Sequence, residues 1–189
     1  MARMNRLVVW LVNQGNLRHS KRLLGQFGDR LDLSSQSRTL ELGAGIGGLS
    51  ALLYERFHPR QVVVTDFDDR QVEAARRFLG RRFGTLPTAF ELRTADALAL
   101  PFPDGSFEAI FAIGVLHHVE ERHSDYVRRP QALSEIRRVL APGGWFVYTE
   151  FTRTDDVRRS LQELGFTQVS STRRLRHMEL DVYRAPGAP

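Results

Sequence analysis

The 189-residue sequence predicts an α/β fold, a doubly wound sheet with helices on both faces. Three observations carry this. Apolar runs alternate with amphipathic stretches through most of the chain. A glycine-rich turn, Gly43-Ala44-Gly45-Ile46-Gly47-Gly48, follows the run Thr39–Leu42 and opens a helix. The run Gln61–Thr65 is β-branched and lacks polar alternation, as a strand buried on both faces requires.

The elements follow in order. Leu7–Val12 is a compact apolar patch around Trp10, and Gly15 interrupts it. Asn16 is a candidate cap for a helix from Leu17 to about Phe27, with Leu17, Leu24, Phe27 and Leu31 at helical spacing. Ser34–Ser37 is a polar linker, and the first strand starts near Arg38. The helix opened by the glycine turn ends near Phe57. Asp66 follows the second strand, and Asp68 caps a helix reaching about Phe83. That helix buries Val72, Ala75, Phe78 and Leu79. The third strand lies near Ala89–Thr94, and a connection rich in proline and glycine leads to the fourth, Glu108 to about Gly114. A helix from Pro130 to Leu140 opens on proline, buries Leu133, Ile136, Val139 and Leu140, and ends at Ala141-Pro142-Gly143-Gly144. The fifth strand is Trp145–Glu150, and the last helix is Thr154–Leu164. Two final strands, Thr167–Ser171 and Glu179–Arg184, are joined by the basic stretch Arg173–His177.

Composition sets bounds. A hydrophobic share of 42% and a charged share of 26% are those of a globular protein, and the length suits one domain with a substantial core. No apolar run approaches the ~20 residues of a membrane span. Leu7–Val12 is too short for a signal-peptide core, so a cytoplasmic protein is expected. The chain has no cysteine. That excludes disulfides, thiolate metal sites, a cysteine nucleophile and a cysteine-held iron–sulfur cluster. No metal centre is expected. Residues 1–38 hold seven basic and two acidic residues, a surplus equal to the whole net charge of +5. The sequence therefore divides into a basic helical extension, residues 1–37, and a body, residues 38–189, whose charges balance from residue 39 onward.

Ligands of doubly wound sheets bind at the carboxyl ends of the strands. Four clusters fall there: Glu41–Gly47, Asp66, Asp96 and Gly114–His118. Glycines let a backbone approach a ligand closely, and a helix N-terminus favours negative or electron-rich groups. Asp66 stands about twenty residues beyond the glycine turn, where an acid can bind ribose hydroxyls. The turn itself fits two patterns. Gly43, Gly45 and Gly48 match the dinucleotide signature G-x-G-x-x-G, whereas Glu41, Gly43, Gly45 and Gly47 match E-x-G-x-G-x-G.

The second pattern resembles motif I of the class I S-adenosylmethionine-dependent methyltransferases, and the span Arg38–Arg184 resembles their small-molecule group, type 11. The resembling stretches stand in the family's order. They are Leu40–Gly47, Val64–Asp68, Ala95-Asp96-Ala97, Pro101–Glu108, Leu116–Val119 and Glu135–Gly144. The resemblance implies a Rossmann-like seven-stranded sheet, mostly parallel with an antiparallel last strand. It implies S-adenosylmethionine as cofactor and S-adenosylhomocysteine as product. Gly43, Ala44, Gly45 and Gly47 would form the cofactor turn. Glu41 would hold the methionine ammonium, Asp66 the ribose hydroxyls, and Phe67 an adenine face. Asp96, beside Ala97, would accept from the adenine amino group, and Ile113 and Gly114 would line the methionine end. His117 and His118 are the candidate catalytic residues of the acceptor pocket, as a base or as pocket walls.

No Asn/Asp-Pro-Pro-aromatic motif follows the fourth strand, which speaks against the planar amino groups of nucleic-acid bases or glutamine as acceptors. A small molecule, acidic or lipid-like, is favoured over nucleic acid, and the methylated atom stays open. The usual lid position after the fifth strand, Phe151–Arg153, is very short. Residues 1–37, with Leu7, Val9, Trp10 and Leu11, are therefore a candidate lid or peripheral membrane contact, and Glu120–Arg129 a second candidate cover. A cofactor-binding module without turnover and an NAD-dependent oxidoreductase are the competing readings.

Overall fold

The computed structural model describes residues 6–122, 125–150, 153–173 and 179–187, with side chains from Leu17 onward except at Arg173. Helix α1 is Arg6–Phe27. Strand β1, Arg38–Leu42, leads to α2, Gly48–Phe57, then β2, Gln61–Asp66, and α3, Asp69–Phe83. After β3, Phe90–Thr94, and β4, Phe107–Ile113, comes a one-turn helix, Leu116–Val119. Helix α4 is Arg129–Val139 and β5 is Leu140–Glu150. Helix α5, Thr154–Glu163, precedes β6, Thr167–Arg173, and β7, Glu179–Arg184.

The seven strands form one sheet in the order β3-β2-β1-β4-β5-β7-β6. The pairings from β3 through β5 are parallel, and β7 runs antiparallel to both its neighbours. This is the seven-stranded, mostly parallel sheet with an antiparallel last strand that the resemblance implies. The order reverses between β1 and β4, which opens a crevice at their carboxyl ends.

Alternate residues of each strand point to opposite faces, and the core divides accordingly. Ile110 and Ala112 of β4 pack with Leu133, Ile136, Val157 and Leu161 of α4 and α5. Ala109 and Phe111 pack on the other side with Leu23, Leu24 and Phe27 of α1 and Leu49 and Leu53 of α2. Ala75 and Leu79 of α3 cover Val62 and Val64 of β2. Asp68 caps α3 as its spacing predicts, accepting from the Arg70 N–H.

Two elements differ from the sequence expectation. First, α1 is continuous through Gly15 and Asn16. One interior glycine costs about 1 kcal/mol, less than nucleating a second helix. Its second half is core rather than appendage: Leu23 and Phe27 are fully buried. The segment after it is clamped by Asp32, which accepts from the Trp145 indole N–H and from Arg184. Those bonds, Arg184's first, hold the Asp32 carboxyl down to about 2. Second, β5 begins at Leu140, opposite Phe107, and regains regular register at Trp145 opposite Ala109. The Ala141–Gly144 stretch, expected to separate helix from strand, is taken up as an irregularity of the strand, which proline and glycine permit. No helix among the described residues is long and apolar enough to cross a membrane. The side chains of Leu7, Val9, Trp10 and Leu11, and the stretch between β6 and β7, lie outside the described residues.

Candidate active site

The crevice between β1 and β4 opens into a cleft of about 800 Å³. That is the size of a whole small-molecule site. Its walls come from four strand ends: Leu42 of β1 with Gly43 beyond it, Asp66 of β2 with Phe67 beyond it, Asp96 and Ala97 shortly after β3, and Ile113 of β4 with Gly114 beyond it. Gln71 and Ala74 of α3 close one side.

The glycine turn is shaped for close approach. Gly43 has φ +59°, and a Cβ there would stand 2.6 Å from the Val115 side chain. Gly45 has φ +55°, and a Cβ there would meet nothing within 4 Å. The first glycine is demanded by the fold. At the second the left-handed φ favours glycine, and with no neighbour at the Cβ position it leaves bare backbone facing open space. The Ala44 N–H donates to the Thr65 carbonyl at 2.8 Å, and this bond pins the turn to β2.

Three acids define the rim. Asp66 accepts from the Gly45 N–H through Oδ2 and from the Asp68 N–H through Oδ1, each at 3.0 Å. It is both a wall of the cleft and a brace of the glycine turn. Asp96 accepts from the Leu98 N–H at 2.9 Å. Glu41 is 5% exposed, and its Oε2 accepts from both the N–H and the hydroxyl of Ser50 in the first turn of α2. Burial pushes its carboxyl up to about 7, against the opposing pull of the Ser50 bonds. Phe67 is 75% exposed at the cleft's lip, which leaves its ring face open.

Glu41 also borders a second, smaller cavity of about 210 Å³. This cavity shares Gly43, Gly45, Ile46, Ile113 and Gly114 with the main cleft, so the two form one groove. Its outer wall is His19 and Ser20 of α1.

The far end of the main cleft is built by the one-turn helix and the loop before α4. His118 lines the cleft, while His117 is buried at 3% exposure with Nδ1 3.0 Å from Glu150 Oε1. The two rings lie 4.0 Å apart between centroids. Glu120 folds back on the start of α4, accepting from the N–H groups of Val127, Arg128 and Arg129 at 2.9–3.1 Å. Arg128 reaches Glu121 at 2.7 Å, and both line the cleft.

The structure thus brings Gly43, Gly45, Asp66, Phe67, Asp96, Ala97, Ile113, Gly114 and His118 onto one cleft. Glu41 and Ala44 line its smaller arm. Gly47 instead caps α2 in the left-handed region at φ +74°. His117 faces Glu150 and is not among the cleft's lining residues. Sequence reasoning included His19 and Ser20 only within the candidate lid 1–37 and Glu120 only within the candidate cover Glu120–Arg129, and it did not single out Gln71. An acid upstream of a predicted helix start was the signal available for Glu120. No local pattern marks His19, because helix packing alone brings it to the groove.

A cofactor with a nucleoside and an amino-acid tail fits this groove: the backbone is bare at Gly45, acids stand at the ends of β1, β2 and β3, and the smaller arm extends past the turn. Comparison with known proteins agrees. The methyltransferase domain model of type 11 matches residues 40–148. A demethylmenaquinone methyltransferase of Thermus thermophilus is 42% identical over 117 residues, covering 60% of this chain and 47% of the relative. The chain spans about half the length of the first curated relatives it matches. Among solved structures, a SAM-dependent methyltransferase from Aquifex aeolicus superposes with a TM-score of 0.67 at 18% identity, covering 87% of this chain and 88% of that one. The [4+2]-cyclase SpnF superposes with a TM-score of 0.72 at 19% identity, covering 93% and 82%. These two likenesses show the fold. The match over residues 40–148 takes in the glycine turn, the three rim acids and the one-turn helix, and by it the chain belongs to the type 11 family of class I, S-adenosylmethionine-dependent methyltransferases.

Proposed function

We propose that this protein transfers a methyl group from S-adenosylmethionine to a small-molecule, lipid-like acceptor. The observation that carries the reading is the convergence of the bare glycine turn and the rim acids Glu41, Asp66 and Asp96 on one groove. When bound, S-adenosylmethionine supplies a methyl group activated on a sulfonium. Gly43, Ala44 and Gly45 would hold its ribose and methionine parts along the turn, with Gly47 shaping the turn where α2 begins. Asp66 would take the ribose hydroxyls, Phe67 an adenine face, and Asp96 beside Ala97 the adenine amino group. Glu41 would take the methionine ammonium, and Ile113 and Gly114 would line that end.

The protein's part is to align the acceptor and exclude water, and orientation can supply ~7–11 kcal/mol. His118, in the cleft wall, is the residue to receive a proton where the acceptor carries one. His117, held by Glu150, backs it as a positioning residue. Glu120, Glu121 and Arg128 at one end of the groove and α1 at the other would be its covers. A relative named for a quinone, demethylmenaquinone, supports a lipid-like acceptor.

Calorimetric titration with S-adenosylmethionine and with NAD tests the cofactor. Heat with NAD and none with S-adenosylmethionine ends this reading. The fold also houses a cyclase, so turnover needs its own assay. Tritiated cofactor incubated with lipid, metabolite and RNA fractions should label the lipid fraction. Binding with no labelled fraction at all would favour a cofactor-binding module.

A further inference from the structure

We infer that α1 docks this protein on an anionic lipid surface, its basic stripe against the headgroups and its N-terminal half in the interface. The inference takes its purpose from the proposed lipid-like acceptor and its chemistry from α1 alone. In the half of α1 whose side chains are described, the buried face is Ser20, Leu23, Leu24 and Phe27. The opposite face carries Arg18, Lys21 and Arg22, all exposed, at the i, i+3, i+4 spacing of one helix stripe. None of the three belongs to an ion pair among the described residues. Exposed arginines elsewhere, such as Arg70, Arg77 and Arg128, sit against Asp68, Glu73 and Glu121. Positive charge is therefore left unbalanced along α1.

The helix also reaches beyond the body of the domain. A Cβ on Gly48, in the first turn of α2, would lie 3.7 Å from the Leu17 Cα. A Cβ on Gly28, just past α1, would lie 2.8 Å from the guanidinium of Arg56 in the last turn of α2. The stretch 17–28 thus runs alongside α2 from its start to its end. Helix α2 starts at the cleft rim, so residues 6–16, in the same continuous helix, extend past that rim by roughly 16 Å at ~1.5 Å per residue. No charged residue stands between Arg6 and Arg18, and this span holds the run Leu7–Val12 with Trp10. At about 100° per residue, such a run leaves no face of a helix without an apolar position. An apolar half continuous with a basic stripe is the composition of an interfacial helix, and tryptophan favours the headgroup level. A nucleic acid would use the basic stripe and leave the apolar run without a role, so a lipid surface is the better occupant. Docking along α1 brings the cleft mouth to the surface in which a lipid-like acceptor resides.

The test is sedimentation of the full chain with vesicles of phosphatidylcholine, alone or mixed in equal parts with phosphatidylglycerol. The chain should bind the anionic vesicles, bind the neutral ones far less, and be released as salt screens the charges. Joint Arg18→Gln, Lys21→Gln and Arg22→Gln substitution should lower the partition on the order of a hundredfold, about fivefold per charge, and leave S-adenosylhomocysteine binding in calorimetry unchanged. On anionic vesicles tryptophan emission should shift to the blue. Trp10→Phe should abolish that shift, because Trp145 is already buried and bonded to Asp32. Equal partition on neutral and anionic vesicles, or wild-type partition in the triple variant, overturns the inference. So does a chain that binds an RNA duplex and no vesicle. If vesicles are bound but tritiated cofactor labels no lipid, the acceptor reading falls and docking stands. If lipid in detergent is labelled and no vesicle is bound, docking falls and the acceptor reading stands.

Discussion

Two helices of this protein begin under a buried carboxylate supplied from elsewhere, and the two acids behave differently. Glu41, from β1, closes the start of α2, and Glu120, from the one-turn helix region, closes the start of α4. Both satisfy amides that have no partner within their own helix and sit at the positive end of its dipole. Their exposures are alike, 5% and 7%. Glu120 spends both oxygens on three successive amides and faces the fully buried Arg129, with Arg129 Nε 3.8 Å from Glu120 Oε1. Glu41 places both its bonds, to one residue, on a single oxygen, and among the described residues the other oxygen takes none. A saturated carboxylate is scaffold. A half-saturated one, desolvated and bordering a cavity, retains capacity for a ligand.

The sharpest way to break this comparison is to remove the scaffold acid. Glu120→Ala takes away four hydrogen bonds and the charge opposite Arg129, and should cost roughly 3–5 kcal/mol of folding stability in denaturant titration. A loss under ~1 kcal/mol would mean that the loop before α4 reorganises around its own amides. The second test concerns pH. The Glu41 carboxyl rises from its ordinary 4.5 to about 7 on folding. A raised carboxyl favours the folded state while protonated, so the stabilisation is complete below 4.5 and is lost as pH climbs through about 7. The loss should be on the order of 3 kcal/mol in the ligand-free protein, and Glu41→Gln should flatten it. Ligand binding should run the other way, tightening as Glu41 ionises, because the ammonium prefers the charged acid. Parallel slopes in wild type and Glu41→Gln would remove Glu41 from this account.

Asp66 is the intermediate case, with one backbone N–H on each oxygen and a position on the open cleft. Asp66→Ala should weaken S-adenosylhomocysteine binding by roughly 2–3 kcal/mol in calorimetry while the chain stays folded. Unchanged affinity would reduce Asp66 to a brace of the glycine turn. The smallest effect belongs to Ser50→Ala, which should lower stability by about 1 kcal/mol. It should also move the pH-dependent loss upward, since the Ser50 bonds pull the Glu41 carboxyl down. A downward move would show that those bonds do not favour the ionised acid.

The sequence by itself determined the strand order of chemistry along this chain. Glu41, Asp66 and Asp96 each sit within or directly after a strand, and the glycine turn directly follows β1. Strand propensity, turn chemistry and the parallel topology then place them on one rim, because every parallel strand ends at the same edge. Local signals span only a few residues, so whatever depended on closure of the chain escaped them. His117 and His118 are neighbours in sequence, yet one turns to Glu150, thirty-three residues on, and the other to the cleft. Gly15 and Asn16 read as a helix boundary, and the helix passes through them. Pro142 and Gly143 read as a break, and β5 absorbs them opposite β4. His19 carries no motif at all and reaches the groove only because Leu23, Leu24 and Phe27 bury α1 against the sheet. Burial of an apolar helix face fixes the helix, and with it the direction of every polar side chain on its other faces, at a distance no sequence window spans.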